Sequence, residues 1–273
     1  MSEPEKAILR LISESDYRIP ADEIYHHLCQ SGRYRRREVR AAIRSLLDSG
    51  ELNYTYELGQ SFLERSFNRP IQVTPKITLA PPGHAIAAKL SEVTVRLAPG
   101  AAFGYGQHPT TRMALAAVDK ACTLESALLQ NGPSRVLDIG TGSGVLIIAA
   151  VKLGLSSGLG LDIDPCALAE AEQNVTLNNL QSKIQIKNIP LDSVPGRYQM
   201  ITANLRLPTL VEHRASIVAG VLPGGMLIIS GIKTEELSNL MEHYISAEVK
   251  KLQVWSEKGW SALLMQKGAG KAV

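Results

Sequence analysis

Three glycines at alternate positions follow a short apolar segment near the middle of the 273-residue chain. The apolar segment spans residues 135–139, an apolar helical pattern occupies residues 145–153, and between them lie Gly140, Gly142 and Gly144. Glycines allow a ligand to approach the backbone closely, and the start of a helix offers unpaired N–H groups at a positive dipole end. This order of strand, glycine turn and helix predicts a site for a nucleotide-like cofactor at the edge of an open α/β sheet.

Two carboxylates narrow the chemistry of that site. Asp138 lies in the end of the first predicted strand, and Asp162 ends a second one over residues 158–161, 22 positions after Gly140. The spacing is G-x-G-x-G rather than the dinucleotide fingerprint G-x-G-x-x-G, and Asp138 would repel a pyrophosphate but attract an ammonium or a sulfonium group. Asp162 can accept hydrogen bonds from both ribose hydroxyls. The two acids and the three glycines predict S-adenosylmethionine binding; the alternative is an ordinary strand–helix turn with a surface aspartate.

Bulk composition predicts a folded protein that stays in solution. Hydrophobic residues make up 45% of the chain and the net charge is +3, which allows a sizeable core and gives no polyelectrolyte character. Cys29, Cys122 and Cys166 are too widely spaced for a disulfide framework or a metal cluster, so no metal is expected. The first residues lack a signal-peptide pattern, and the longest apolar run, 145–151, is too short to span a bilayer. We therefore expect a cytoplasmic protein without a membrane partner.

Beyond the glycine turn, helical and extended patterns alternate along the chain. Such alternation predicts a parallel, doubly wound sheet. Two extended patterns close the sequence, at residues 249–255 and 260–265, and the short turn between them predicts a hairpin. We therefore predict an α/β domain over residues 93–268, a Rossmann-like doubly wound sheet with an antiparallel edge strand.

A smaller domain is predicted over residues 1–64. Three helical patterns precede two extended ones, at residues 4–14, 22–29, 34–48, 51–56 and 61–64. Three short helices followed by a β-hairpin resemble a winged helix-turn-helix domain. Residues 65–92 contain four prolines and are predicted to connect the two domains.

The third helix of the smaller domain is strongly basic. Arg36 and Arg37 lie near its start, and Arg37, Arg40 and Arg44 share one side, away from the apolar positions. Arginines so placed could contact the phosphates or the base edges of a nucleic acid. The alternatives are the docking of an acidic protein and a face that is only solvated.

Several motifs of the larger domain resemble the PrmA family of ribosomal-protein lysine methyltransferases. The most specific is the loop FGYGQHPTT at residues 103–111; the glycine turn is common to all class I methyltransferases. The other matching segments are 137–144, 161–165, 203–205, 222–225, 230–232 and Trp260. The resemblance covers about residues 93–267. It implies that the α/β domain is a class I methyltransferase fold that uses S-adenosylmethionine.

The resemblance also implies roles for individual residues. Thr111, Gly140, Asp162 and Asn204 would contact S-adenosylmethionine. The amide oxygen of Asn204 would accept a hydrogen bond from the incoming amine, which makes Asn204 the candidate catalytic residue. Phe103 would face the sulfonium as a cation–π partner. The implied acceptor is a protein lysine or amino terminus, with a ribosomal protein as the family's substrate.

The sequence departs from the family pattern in two places. A winged-helix pattern stands where the family has its substrate-binding domain, and Tyr105 and Gln107 replace the usual threonines. Residues 204–207 lack the aromatic side chain on which nucleobase methyltransferases stack a flipped base, which favours a protein amine. The alternatives are an RNA or small-molecule methyltransferase, and a non-catalytic DNA-binding regulator that senses S-adenosylmethionine.

Several residues near these motifs have expected supporting roles. His108 is expected to order its loop, and Thr110 or Thr111 to cap the apolar helix that follows. Asp164 precedes a proline and is expected to cap the next helix. Asp192 lies where such folds often contact adenine.

Overall fold

Two units make up the chain, Met1–Arg69 and Pro70–Val273. The computed structural model describes residues 1–15, 19–30, 32–57, 60–66, 69–84, 92–100, 102–106, 108–124 and 134–268. Gln107 and residues 85–91 of the predicted connector lie outside the described residues.

Three helices and a β-hairpin are described in the first unit. These elements are α1 (Glu3–Glu14), α2 (Ala21–Gln30), α3 (Arg36–Asp48), β1 (Leu52–Glu57) and β2 (Gln60–Arg65). Apolar side chains at helical spacing, such as Val39, Ile43 and Leu46 of α3, form the core of this unit. The predicted helices and hairpin are therefore present, and the assignment to the winged-helix class stays a prediction.

Three short strands form a small sheet in the second unit. They are β3 (Ile71–Gln72), β4 (Ile77–Ala80) and β5 (Val93–Arg96). β4 pairs antiparallel with β3 and parallel with β5. Two of these strands, β3 and β4, come from the segment that was predicted as a connector.

A seven-stranded sheet forms the body of the second unit. Its strands are β6 (Arg135–Ile139), β7 (Ser157–Leu161), β8 (Ile184–Lys187), β9 (Tyr198–Asn204), β10 (Val221–Lys233), β11 (Val249–Glu257) and β12 (Trp260–Lys267). They lie in the order β11-β12-β10-β9-β6-β7-β8, and the five strands from β10 to β8 are parallel. The predicted Rossmann-like sheet is confirmed.

The terminal hairpin is present, but its antiparallel strand is not at the edge. β12 pairs antiparallel with both β10 and β11, and β11 forms the edge of the sheet. Residues 261–265 of β12 are all buried, whereas most side chains of β11 are exposed or half-buried. The predicted antiparallel pairing at the edge of the sheet is confirmed, and the strand that runs against the five parallel strands is β12, one place inside the edge. The more apolar strand of the hairpin takes this interior position because it loses more by exposure to water.

Six α-helices are described in the second unit. They are α4 (Pro109–Leu124), α5 (Val145–Lys152), α6 (Pro165–Leu177), α7 (Leu207–Glu212), α8 (Arg214–Gly220) and α9 (Leu237–Tyr244). Every residue of α5 from 145 to 151 is buried, which explains why its apolar pattern is continuous rather than amphipathic. None of the helices described in either unit has the length and apolar character needed to cross a bilayer.

The strand order reverses beside β6. The chain passes from β6 outward through β7 to β8, and then returns to the other side of β6 as β9. In such sheets, ligands bind at the carboxyl ends of the strands where the order reverses. Ile139 pairs with Ala203 near the ends of β6 and β9. The glycine turn after β6 and Asn204 at the end of β9 therefore lie at the same edge of the sheet.

Candidate active site

The glycine turn after β6 adopts a backbone conformation that favours glycine. The φ angle is +70° at Gly140 and +53° at Gly142. A Cβ on Gly142 would lie 2.4 Å from the carbonyl oxygen of Phe103, and one on Gly140 would lie 2.5 Å from a methyl group of Leu205. Gly144 forms the N-cap of α5. The turn thus packs directly against two other segments, and this packing requires that its glycines have no side chain.

Asp162 is held beside this turn at the end of β7. Its Oδ2 accepts a hydrogen bond from the backbone N–H of Gly142 at 2.9 Å, and its Oδ1 accepts from Ile163 N at 2.8 Å and Asp164 N at 3.1 Å. These three bonds fix the orientation of the half-buried carboxylate. Asp164 accepts from Cys166 N at 2.9 Å and caps α6, which confirms the predicted cap.

Asp138 is buried beneath the turn. Its Oδ1 accepts from the hydroxyl of Thr202 at 2.6 Å, and its Oδ2 accepts from the hydroxyl of Thr141 at 2.8 Å. Burial raises the pKa of the Asp138 carboxyl to about 6, although the two threonine hydroxyls act in the opposite direction. The carboxyl therefore ties β6 to β9 and to the turn, and its direct contact with a cofactor stays a prediction.

Three buried side-chain oxygens around the turn have no hydrogen-bond partner among the described residues. They are Thr111 Oγ1, Ser143 Oγ and Asn204 Oδ1. Buried polar atoms are almost always paired, so an unpaired set calls for an explanation such as a ligand. Hydroxyls can donate to a carboxylate, and an amide oxygen can accept from an ammonium or an amine. The three oxygens therefore fit an amino-acid-bearing cofactor such as S-adenosylmethionine.

Contacts between strands and helices bring these oxygens to one edge of the sheet. Asn204 ends β9 and pairs with Ser230 of β10. The buried hydroxyl of Ser230 donates to the carbonyl oxygen of Thr110 at 3.0 Å, which joins the first turn of α4 to the strand ends. Thr111 follows Thr110 in that turn, and Ser143 lies in the glycine turn itself. Sequence reasoning found Thr111 and Asn204 but missed Ser143, whose signal was its place between two glycines.

The loop before α4 is attached to the turn and to α6. The Ser143 N–H donates to Phe103 O at 2.9 Å. The hydroxyl of Tyr105 donates to Glu170 Oε2 at 2.6 Å, and Ala102 N donates to the same oxygen at 2.9 Å. Burial, followed by the bond to Glu170, raises the pKa of Tyr105 above its ordinary value. Tyr105, which departs from the family pattern, therefore anchors the loop to α6.

A second attachment holds the loop to the terminal hairpin. The guanidinium of Arg112 donates to Gly106 O at 3.2 Å and forms an ion pair with Glu257 at the end of β11. Both charged side chains are mostly buried, so solvent screens this pair less than a surface pair. The position of the loop is therefore coupled to the hairpin.

Two aromatic rings of this loop and one of β12 contact one another in succession. The ring centroids of Phe103 and His108 are 5.2 Å apart, and those of His108 and Trp260 are 4.8 Å apart. Nδ1 of His108 accepts from Thr110 N at 3.3 Å, so His108 caps α4. The expectation that Thr110 or Thr111 caps this helix was wrong, because both lie inside its first turn. The expectation that His108 orders the loop is confirmed.

Two asparagines that the sequence reasoning missed support the site from α6. Asn174 accepts from Ala98 N at 2.9 Å and donates to Ser143 O at 2.9 Å. Asn178 accepts from Arg96 N at 3.0 Å and donates to Arg96 O at 2.7 Å, as a paired strand would. Their signal was two poor helix formers four residues apart on an otherwise apolar helix face.

The remaining predicted site residues lie elsewhere. Asp192 is exposed and accepts a hydrogen bond from the hydroxyl of Ser216, so its contact with adenine stays a prediction. The predicted basic residues of the first unit, Arg36, Arg37, Arg40 and Arg44, are all exposed on α3. The guanidinium of Arg36 stacks over the ring of Tyr25, 5.5 Å from its centroid.

Comparison with known proteins places this geometry in a family. Residues 63–268 match the family model described as Ribosomal protein L11 methyltransferase (PrmA). The ribosomal protein L11 methyltransferase of Geobacter metallireducens is 37% identical over 199 residues, which cover 73% of this chain and 63% of that protein. The one from Halalkalibacterium halodurans is 31% identical over 245 residues, 85% of this chain and 74% of that protein. The alignment thus spans just under two thirds of the Geobacter protein.

A solved structure has the same fold. The ribosomal protein L11 methylase of Lactobacillus delbrueckii subsp. bulgaricus is 27% identical, with a TM-score of 0.63 over 73% of this chain and 99% of that chain. The matched residues 63–268 include the glycine turn, Asp162, Asn204 and the loop at 103–111. This chain therefore belongs to the ribosomal protein L11 methyltransferase (PrmA) family.

Proposed function

We propose that this chain is an S-adenosylmethionine-dependent N-methyltransferase that modifies an amine of ribosomal protein L11, on a lysine or at the amino terminus. The observation that carries the proposal is the set of unpaired buried oxygens on Thr111, Ser143 and Asn204 beside the glycine turn. Family membership supports the reaction class, and the names of the relatives support the acceptor. Because ribosomal proteins are the acceptors, a cytoplasmic location is part of the proposal.

Residues of the turn and of β7 would hold the cofactor. Bound S-adenosylmethionine supplies an electrophilic methyl group on a sulfonium. The Asp162 carboxylate is already oriented by three backbone N–H groups and retains about one of its four lone-pair sites, on Oδ2, which can accept from a ribose hydroxyl. The Thr111 hydroxyl would donate to the carboxylate of the amino-acid part. Gly140 and Gly142 would hold the turn beside the cofactor in a left-handed backbone conformation, which their packing against Leu205 and Phe103 allows only to glycine.

Asn204 would orient the acceptor. Its unpaired Oδ1 can accept an N–H of a neutral amine, which directs the nitrogen lone pair away from the amide. Burial favours the neutral amine over the ammonium, so the acceptor loses its proton to water as it enters. The chain then needs no strong general base, because positioning for in-line attack supplies most of the rate.

The attached loop would limit access of water to this site. Tyr105, Arg112 and the Phe103 carbonyl hold it to three different elements. The half-exposed ring of Phe103 lies at its outer surface and is the candidate cation–π partner of the sulfonium. A loop fixed in this way can exclude water from the reacting groups without a large closing movement.

The variant Asn204→Ala tests the proposal. With recombinant ribosomal protein L11 and radiolabelled S-adenosylmethionine, we expect turnover to fall by at least about a hundredfold, because acceptor orientation is lost. The dissociation constant for S-adenosylmethionine, measured by calorimetry, should change much less. Asn239→Ala, at an exposed position on α9, is the matched control and should leave both quantities unchanged.

The same assay separates an enzyme from a sensor. If wild-type protein binds S-adenosylmethionine tightly but methylates neither L11 nor any fraction of a cell extract, the methyltransferase proposal fails and the regulator alternative remains. If label enters a nuclease-sensitive fraction instead, the acceptor is an RNA rather than a protein.

A further inference from the structure

We propose that the first unit docks onto duplex DNA through one face of α3, formed by Arg37, Arg40 and Arg44 and here named the arginine face. The inference goes beyond methyl transfer and does not depend on it. Residues 1–62 lie outside the part of the chain that matches the family model.

Positive charge is concentrated on α3. Residues 33–48 include six arginines and two acids, Glu38 and Asp48. The Glu38 carboxylate accepts from the backbone N–H of Arg35 at 2.7 Å and serves as part of the helix start. Arg37, Arg40 and Arg44 are exposed, and none of them forms an ion pair within the part of the unit that the structure describes. Their charges are therefore available to an external anion.

These arginines do not serve the stability of α3. Arg36 and Arg37 lie in the first turn, where the helix dipole disfavours positive charge. Arg37, Arg40 and Arg44 also repel one another at spacings of three and four residues. The helix is held instead by its buried face, which includes Val39 and Ile43. A face whose arginines repel one another and pack against nothing in the described part of their unit is best explained by a ligand.

Side-chain chemistry favours a nucleic acid over a protein. Stable protein interfaces are anchored by buried aromatic or apolar side chains. In the described part of the first unit, the exposed large hydrophobic residues are Met1 and Tyr54, and neither belongs to α3. All three charged groups of the face are guanidinium groups, which bind phosphate oxygens with two parallel hydrogen bonds. The arginine face therefore has the donors for phosphates and lacks an apolar anchor.

Shape favours DNA over RNA. The small residues Ala41 and Ser45 lie among the arginines and allow close approach. Two acids lie at the same surface: Glu5 accepts a hydrogen bond from Ser45, and Asp48 lies a turn beyond Arg44. A helix with its side chains is about 10–12 Å wide and fits the major groove of B-DNA, about 12 Å wide. The major groove of A-form RNA is too narrow. α3 also follows α2 after a short connection, the order in which DNA-binding helix-turn-helix proteins present their second helix.

The first experiment measures how salt affects binding of the full chain to a fluorescent mixed-sequence DNA duplex. Wild-type affinity should fall steeply between about 50 and 200 mM salt. Replacing Arg37, Arg40 and Arg44 with alanine should reduce the slope of log affinity against log salt by about 2.7, since each phosphate contact contributes about 0.9. The control variant replaces three exposed basic residues of the second unit, Arg197, Lys250 and Lys251, and should retain the wild-type slope.

The second experiment separates docking from charge alone. Ala41→Trp keeps every charge but places a bulky ring at the centre of the arginine face, and it should weaken duplex binding at least tenfold. Unlabelled DNA duplex should compete better than an RNA duplex of the same sequence or a polyglutamate peptide. Circular dichroism should match wild type for each variant, because the substituted positions are exposed.

Four results would overturn the proposal: no duplex binding at low salt, a wild-type slope in the triple arginine variant, full affinity in Ala41→Trp, or better competition by RNA or polyglutamate. Calorimetry of S-adenosylmethionine binding to the triple variant should give the wild-type constant. This readout keeps a failure of the DNA proposal distinct from a failure of the methyltransferase proposal.

Discussion

The glycine turn of residues 140–144 has glycines at positions where a side chain would collide with neighbouring atoms. The arginine face of α3 has large side chains at positions where its own unit packs nothing against them. A Cβ on Gly142 would lie 2.4 Å from a backbone oxygen. Arg37, Arg40 and Arg44 are exposed on their helix. Contacts with neighbouring segments restrict which residues the glycine turn can contain, whereas no such contact restricts the side chains of the arginine face.

The difference concerns how folding and binding are related. In the turn, the same atoms shape the backbone and form the candidate cofactor site, so a substitution should affect stability and binding together. The fold of the first unit depends on the buried side of α3, opposite the arginine face. Substitutions on the arginine face should therefore change binding without changing stability to the same extent. Each prediction below tests one side of this comparison, from the largest expected effect to the smallest.

Gly142→Ala should be the most damaging single change. We expect the free energy of unfolding to fall by roughly 2–5 kcal/mol, because a left-handed alanine costs about 1–2 kcal/mol and overpacking against the Phe103 carbonyl about 1–3 kcal/mol more. Gly224→Ala is the matched control, since φ is +79° there and nothing lies within 4 Å of the added Cβ. Urea unfolding measures both variants. Equal losses would show that contact does not constrain the turn.

Asp138 makes the stability that the turn contributes depend on pH. Its pKa is raised from 3.8 to about 6 in the folded protein. Between these values the folded state keeps a proton that the unfolded chain has lost, so this group's contribution to stability falls as the pH rises, by about 3 kcal/mol in total.

Asp138→Asn isolates this effect, because asparagine cannot ionise. The unfolding free energy of the variant minus that of wild type should rise by up to about 3 kcal/mol between pH 4 and pH 7. Urea titrations at a series of pH values measure the difference. A difference that does not vary with pH would mean that the buried carboxyl titrates normally.

Asp162→Ala should weaken S-adenosylmethionine binding at least tenfold. The variant loses a charge-assisted hydrogen bond to the ribose, worth about 1.5–3 kcal/mol. Asp164→Ala is the control. Asp164 lies two residues after Asp162 and caps α6, so this variant removes an equal negative charge from a side chain with a different role. Calorimetry decides between them. Equal affinity of the Asp162 variant and wild type would mean that the cofactor site has been misplaced.

Arg37→Glu should have the smallest effect, and in the stabilising direction. An acid in the first turn of α3 interacts favourably with the helix dipole, so the free energy of unfolding should rise by about 0.3–1 kcal/mol. Arg37→Ala should give a smaller gain by removing the repulsion alone. Urea unfolding checks both. A loss of stability in either variant would show that Arg37 supports the fold and that the contrast with the glycine turn is weaker than proposed.

Local sequence patterns predicted much of this architecture. The order of strand, glycines and helix at residues 135–153 located the turn, and Asp164 before Pro165 located the start of α6. These features depend on backbone conformation and on neighbours within a few residues, which a sequence displays directly. The terminal hairpin was visible for the same reason.

Long-range partners were not predictable from such patterns. Tyr105 bonds to Glu170, 65 residues away, and Arg112 pairs with Glu257 across 145 residues. The cap of α4 by His108 was also missed, because histidine is an uncommon cap and the threonines beside it are common ones. In each case several residues nearby in the sequence had the same chemistry, so the sequence alone did not indicate which of them would form the contact.

The sequence by itself determined the order of helices and strands in each of the two units, the glycine turn with its two acids, and the basic side of α3. These features depend only on residue types and their spacing within short segments. Only the tertiary structure decided which oxygens stay unpaired beside the turn, which of β11 and β12 lies inside the sheet, and that Asn174 and Asn178 hold residues 96–98. These outcomes depend on which surfaces meet. Burial and hydrogen-bond partners arise between segments far apart in the chain, so they exist only once those segments are packed together.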